Sequence, residues 1–243
     1  AQRGSAPLLE VYCLGPFVVR LGGDTVKRWP SRRAKALLKY IVGHGGGPLP
    51  KDVLMENLWP GLEPRQANNN LKVTVCALRQ TLSSAYDADP GFVWVLFKEG
   101  SYLLNPEARL WTDAEQFERH WQAARQLEKK GLRSEAVGEL KAAESVYRGD
   151  YLEDDLYEEW TWLKREALRE RYLAILGRLA DNAMERADHD VCIGYCEKIL
   201  LKDSCREDAY RRLMQSHSRL GQRNAAIAWY QTCHKTIQTE LNV

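Results

Sequence analysis

Apolar residues recur along this chain with two different periods, and the change of period divides it. Near the start Leu9, Val11 and Cys13 fall on every second position. Gly15-Pro16 turns the chain into Phe17–Leu21, and Gly22-Gly23 with Asp24-Thr25 turns it again toward a short apolar run at Val26. A period of two is that of a strand with one buried face, so this stretch predicts a small β-meander. The period then lengthens. Ala34, Leu37, Leu38 and Ile41 stand at i, i+3, i+4 and i+7, on one face of a first helix that begins at Arg32 behind a Ser31 cap. GHGGGPLP, Gly43–Pro50, predicts a loop. Pro50 sets the first turn of a short second helix, Lys51–Leu58, and Pro60 ends it.

The next words are the most informative. GLEPRQ, Gly61–Gln66, predicts an exposed loop, followed by a third helix from about Ala67 to Ser83. Leu71, Val75, Leu78 and Leu82 are spaced 4, 3 and 4, which makes them its buried stripe. The opposite side carries Asn69, Asn70, Lys72, Val73, Cys76 and Gln80, with Thr74 and Arg79 toward the flanks. Asparagine is a poor helix former but costs little in a first turn, where Asn68, Asn69 and Asn70 are expected. Tyr86–Gly91 has the composition of a loop. Two β-rich runs, Phe92–Phe97 and Ser101–Leu104, then flank a Glu99-Gly100 turn. Helix, loop, helix and hairpin is the order of a winged helix-turn-helix.

After Asn105-Pro106 the chain turns helical. Six or seven helices are expected from Asp113 on. Ala114–Lys129 and Arg133–Tyr147 form a pair, and a long helix over about Tyr157–Arg186 carries Leu168, Tyr172, Ile175 and Leu179 on one stripe. Asp188–Leu200 and Gln222–Cys233 superpose with a shift of 34 residues, Ala187 onto Gly221 and Ile193 onto Ile227. That period belongs to tetratricopeptide-type helical pairs, which offer a concave surface to a partner. The expected fold is therefore mainly α, in two domains. Residues 1–106 form a winged helix-turn-helix with a small sheet and a wing. Residues 107–243 form an all-α, TPR-like repeat domain.

Charge and chemistry refine this picture. The 243 residues carry 35 Lys+Arg and 33 Asp+Glu, but residues 1–108 carry 13 against 9 and the remainder 22 against 24. The bias agrees with a nucleic-acid-facing first half. A helix fits the major groove, where an asparagine amide can pair with adenine and Arg or Lys with guanine or phosphate. Asn68, Asn69, Asn70, Lys72 and Arg79 are the candidate contacts. Arg28, Arg32, Arg33, Lys35 and Lys98 are candidates for the phosphate contacts that supply most of such affinity. The plainer alternative is a solvated face on a structural helix. The Gly61–Gln66 loop is either a partner-protein contact or a connector.

No phosphate-binding loop, nucleophile elbow or metalloprotease motif occurs, and no acid–base or nucleophile set can be assembled, so an enzyme is not expected. His189, Cys192 and Cys196 stand at i, i+3 and i+7 but match no closed zinc motif. They read as small residues between packed helices, and no metal or cofactor is expected. His234, on the stripe of Ile227, Tyr230, Ile237 and Leu241, reads as a core residue. Six scattered cysteines without a CxxC read as reduced thiols. No run is long and apolar enough to span a membrane, and AQRGSAP has no apolar core of a signal peptide, so a cytoplasmic location is expected. The chain begins without Met, either removed or because this is a piece of a longer chain.

The words of the chain resemble the Streptomyces antibiotic regulatory protein type of bacterial activator, an OmpR-like winged helix joined to a bacterial transcriptional activation domain. The resemblance runs through LLEVYCLGPFVV (Leu8–Val19), RRAKALLKYI (Arg32–Ile41), LWPG (Leu58–Gly61), NNNLKVTVCALRQTL (Asn68–Leu82) and EGSYLL (Glu99–Leu104). It continues in DAEQFE (Asp113–Glu118), YRGDYLEDDLYEEW (Tyr147–Trp160), REDAYRRLMQSHSRLGQRNAAIAWYQTC (Arg206–Cys233) and ELNV (Glu240–Val243). It implies that Ala67–Ser83 is a recognition helix and Phe92–Leu104 a wing, with Val73, Thr74 and Arg79 on the DNA-facing side. It also implies cooperative, side-by-side binding to direct repeats in double-stranded DNA. Contact with RNA polymerase is implied through the winged-helix domain, for which Gly61, Glu63 and Arg65 of the connecting loop are the candidates. The alternative from another class is a protein-interaction adaptor, or the regulatory module of a larger protein, whose winged helix does not bind DNA on its own.

Overall fold

The early alternation folds as a meander of strands β1 (Leu8–Tyr12), β2 (Val18–Leu21) and β3 (Asp24–Thr25), each antiparallel to the next. Register pairs Leu9 with Leu21 and Val11 with Val19, so all four side chains point to one buried face. The computed structural model describes residues 6–86, 89 and 91–241. They divide into two compact units after Asp113. Part of the Tyr86–Gly91 loop, the first five residues and the Asn242-Val243 end lie outside the described residues, as does the side chain of Leu241.

In the first unit, helix α1 (Arg32–Gly43) starts where Ser31 accepts a hydrogen bond from the Ala34 N–H, and it buries Ala34, Leu37, Leu38 and Ile41. Strand β4 (Leu49–Pro50) leads into α2 (Lys51–Leu58), with Pro50 just ahead of the first turn. Helix α3 (Pro64–Ser83) begins three residues earlier than expected, because Pro64 occupies its first position, where a missing N–H costs nothing. Leu71, Val75, Leu78 and Leu82 are buried on it, each contributing about 1.5–3 kcal/mol by leaving water. Strands β5 (Val95–Lys98) and β6 (Ser101–Leu104) form the wing hairpin, and β4 completes a three-stranded sheet in the order β4-β6-β5.

Strand β7 (Arg109–Thr112) was not expected. It lies beyond Asn105-Pro106 and runs parallel to β1, giving the other sheet the order β3-β2-β1-β7. Its end is pinned by Asp113. The fully buried Asp113 carboxylate accepts hydrogen bonds from the Cys13 and Leu14 N–H groups at 2.7 and 3.0 Å.

The second unit is built from α4 (Asp113–Lys129), α5 (Arg133–Val146), α6 (Glu159–Glu185), α7 (His189–Lys202), α8 (Glu207–Arg219) and α9 (Arg223–Leu241). A 3-10 turn (Glu153–Asp155) precedes α6. Three helix–helix turns share one geometry. Gly131, Ala187 and Gly221 adopt positive φ, and the next N–H in each bonds five residues back, Leu132 to Leu127, Asp188 to Ala183 and Gln222 to His217. This is the Schellman arrangement, repeated. Helices α7 and α9 start 34 residues apart, at His189 and Arg223, as the sequence period requires. The segment before α6 is held by the buried Arg165, which donates to the carbonyls of Tyr151, Leu152 and Asp155 and to the Thr161 hydroxyl.

One expectation fails here. Ile227 and Tyr230 are 46% and 59% exposed and His234 is also exposed, with its ring beside that of Tyr230. Helix α9 is the last helix of the described residues, so none after it covers this stripe.

Candidate nucleic-acid interface

At 100° per residue, α3 divides its side chains cleanly. Asn69, Asn70, Lys72, Val73, Cys76 and Gln80 are all exposed, Val73 at 70%. Thr74 is not; it is 6% exposed. It stands three residues after Leu71 and four before Leu78, inside the buried stripe, so it cannot face DNA as the resemblance implied. Nor do the three asparagines lie in the first turn. With Pro64 at the start, Asn68 begins the second turn.

Asn68, Lys72 and Arg79 share one flank of α3, at i, i+4 and i+11. Together with Lys51, Phe97 and Tyr102 they line a surface groove between α3, the start of α2 and the wing. Three cations thus converge on one groove, although they are far apart in sequence. The wing is locked to its neighbours at two points. Arg79 Nε donates to the Val95 carbonyl at 2.8 Å, and the Lys51 N–H donates to the Gly100 carbonyl at 3.1 Å. Glu99 and Gly100 both have positive φ, 49° and 77°, the conformation of a two-residue hairpin turn that follows the twist of its strands. Lys98 is exposed beside that turn. Phe97 is 51% exposed and packs its ring on Tyr102 at 4.7 Å.

Lys51 and Phe97 were missing from the sequence-based set. The signal that places them is the pairing of Leu49 with Tyr102 and Pro50 with Ser101, which brings α2 to the wing. GHGGGPLP, read as plain loop, hides this short strand.

The other predicted cations are more dispersed. Arg32 is exposed in the first turn of α1 and Arg28 in the segment before it. Arg33 is exposed but tied. It donates to the Leu58 carbonyl at 2.8 Å and lies over the Trp59 ring, joining α1 to the end of α2. Lys35 sets its ammonium over the Phe17 ring. Both act first as internal ties.

The predicted loop is shorter than expected, Gly61–Glu63, and Arg65 belongs to the first turn of α3. Gly61 takes φ 77°, and the Leu62 N–H closes the turn onto the Trp59 carbonyl. Beside it is a cleft lined by Asp52, Met55, Glu56, Trp59, Leu62 and Ala67 among others.

Among the described residues, no three His, Cys, Asp or Glu side chains are grouped to hold a metal, and all six cysteines are free of disulfides. None of the described helices is long and apolar enough to cross a membrane.

Comparison with known proteins adds the following. Residues 112–243 match the family model described as the bacterial transcriptional activator domain. Transcriptional regulatory protein MoaR1 of Mycobacterium tuberculosis is 26% identical over 239 residues, which cover 98% of this chain and 76% of that protein. MoaR1 of Mycobacterium bovis matches with the same identity and coverage. Among solved structures, Mycobacterium tuberculosis EmbR, determined in complex with a low-affinity phosphopeptide, superposes with a TM-score of 0.76 at 21% identity. That match covers 98% of this chain and 62% of EmbR, so the chain spans less than two thirds of that structure. The likeness to EmbR is one of fold.

Proposed function

The chain belongs to the bacterial transcriptional activator domain family, in the two-part arrangement of the Streptomyces antibiotic regulatory protein type, and as this transcriptional regulator we propose that it reads duplex DNA through α3 and the wing. Helix α3 enters the major groove, with Asn69, Asn70, Lys72 and Val73 toward base edges. Lys51, Arg79 and Lys98 take phosphates on either side of the helix–wing groove. The observation that carries this reading is the convergence of Lys51, Asn68, Lys72 and Arg79 on one groove bounded by the wing. Two copies bind side by side on direct repeats about one helical turn apart, roughly 10–11 base pairs. The Gly61–Glu63 turn, with Arg65 and the cleft beside it, faces RNA polymerase.

Selection of bound sequences from random duplex DNA at moderate salt tests this. Enrichment of a direct repeat with one-turn spacing supports the reading. Retention with no enriched sequence counts against it. Because cations on phosphates release counterions, the affinity must also fall steeply with salt.

A second reading, an adaptor that works through proteins, has one observation in its favour. In the second unit Leu156, Tyr157, Trp162 and Leu163 are all exposed, Tyr157 at 99%. Large apolar groups held in water at this density suit a protein partner. The two readings separate by salt dependence, since an adaptor has no phosphate contacts to lose.

A further inference from the structure

Helix α3 holds a large apolar side chain directly opposite its core. Val73 is 70% exposed. At 100° per residue it stands about 170° from the mean direction of the buried Leu71, Val75, Leu78 and Leu82. Within about 60° of Val73 on either side lie Gln66, Asn69, Asn70, Cys76, Ala77 and Gln80. All are exposed except Ala77, which is half-buried. None of these side chains is charged. The nearby cations stand to one side. Lys72 and Arg79 turn about 100–120° away from Val73, into the groove shared with the wing. Arg79 Nε already donates to the Val95 carbonyl at 2.8 Å. Solvation alone favours charged and polar residues on the face opposite a core. It does not favour a valine at the outermost point.

Resting on the reading that α3 enters the major groove, we propose that this strip selects A·T base pairs, with Val73 packed on the 5-methyl group of thymine and Asn69 and Asn70 bonded to adenine. The chemistry is that of the groove. Only thymine presents a methyl group there, and an asparagine amide matches the acceptor and donor of adenine. Guanine presents two acceptors and calls for Arg or Lys. The strip holds the first two kinds of group and lacks the third. Cys76 and Ala77, one turn beyond Val73 on either side of its line, are short. They let the helix settle close to the base edges, as a methyl contact within about 4.0–4.5 Å requires. Asn69 and Asn70 precede Val73 by four and three residues, about 5–6 Å along the axis. At about 3.4 Å per base pair, amide and methyl contacts fall one or two pairs apart. The half-site therefore carries a short A·T run under α3. Lys72, at the edge of the strip, is left for a base or phosphate beside that run.

The test uses the whole chain and the duplex it selects from random DNA. Each thymine of the half-site is replaced in turn by deoxyuridine, which removes the methyl group alone. One such replacement is expected to weaken binding about fourfold, the worth of one buried methyl group. Val73→Ala is expected to weaken binding to the parent duplex by a similar factor. On the deoxyuridine duplex Val73→Ala then costs nothing further, because the two changes remove one contact. Alanine is the better helix former and the position is exposed, so this variant keeps its fold. Asn69→Ala or Asn70→Ala relaxes selection at an adenine one or two pairs away. Three results overturn the proposal and leave DNA reading by α3 in place. They are deoxyuridine without effect at every thymine, penalties that simply add in the doubly changed complex, and G·C pairs at the positions where the asparagine variants lose selection. Failure to enrich any sequence overturns the reading itself, and the proposal with it.

Discussion

Arg79 lies on the flank of α3 that turns to the wing, and its Nε is bonded to the Val95 carbonyl. Arg79 also lines the groove, so in the proposed reading one side chain both positions the wing and offers charge to phosphate. Arg79→Ala is expected to weaken binding to all DNA sequences and to speed amide exchange at Phe97 and Lys98. Arg79→Lys is expected to restore part of the affinity but not the exchange protection, because an ammonium lacks the planar fork. Lys51 makes a contrast, since its backbone and not its side chain holds the wing. Lys51→Ala should reduce the salt slope by about one and leave the wing's exchange unchanged. The asparagines differ again. Asn69→Ala or Asn70→Ala should change base preference by about 1–3 kcal/mol if either amide pairs with adenine, and an unaltered binding profile would remove α3 from the reading role. In the second unit Asp150 supplies a pH signature. Burial raises its pKa, but hydrogen bonds from Lys202 and Tyr147 outweigh this and hold the carboxyl below its usual value. A depressed folded pKa stabilises the fold above the unfolded value of about 4, and that stability is lost as pH falls through the folded pKa. Asp150→Asn is therefore expected to flatten the acid limb of stability below about pH 4 in urea melts.

Elements with a clean period were legible, and elements defined by a distant partner were not. The stripes of α1, α3 and α6 followed from spacing alone, because burial of one face leaves a 3.6-residue signature whatever covers it. Strand β7 carries no such signature. Its four residues become a strand only by pairing with β1, about a hundred positions away. The start of α3 was missed for a different reason. The polar run after Gly61 masks Pro64, although proline at the first position is itself a start signal. For the site this mattered most. The exposed face of α3 was readable, but the groove also needs Lys51 and Phe97, which only the short β4–β6 pairing delivers. Thr74 was set toward a flank by the reading of the helix and onto the DNA-facing side by the resemblance, although it falls between Leu71 and Leu78 in the buried stripe. The repeated Schellman turns give a prediction at this scale. Gly131 and Gly221 suit positive φ, but Ala187 takes φ 56° with a side chain. An L-residue there is strained by about 1–2 kcal/mol, partly offset by the greater unfolded-state freedom of glycine. Ala187→Gly is expected to raise stability by about 0.5–1 kcal/mol in chemical denaturation, with α6 and α7 unchanged in helical signal.

The molecule as a whole bears on where its winged-helix unit ends. Composition and turn residues pointed to Asn105-Pro106, and the family match begins at residue 112, yet the first compact unit runs on to Asp113. The difference has a physical cause. Strand β7 fills the open side of β1, and Trp111 sets its ring against Tyr12 at 5.1 Å. Asp113 then satisfies two buried N–H groups of the chain leaving β1. Leaving a buried N–H unpaired costs about 1–3 kcal/mol, so a cut after Pro106 loses both bonds and the strand together. A fragment of residues 1–113 is expected to unfold cooperatively, and one of residues 1–106 to be less stable by more than about 3 kcal/mol. Asp113→Ala in the full chain separates the two contributions. It keeps β7 and removes only the carboxylate, so its loss in the same urea melt should fall between the parent and the shorter fragment. Equal midpoints for the two fragments would mean that β7 is an appendage, and that the winged helix is complete at the proline. A lower midpoint for the shorter fragment would mean that residues matched to the activation domain also finish the winged-helix unit. A swap of activation domains between relatives should then be joined after Asp113.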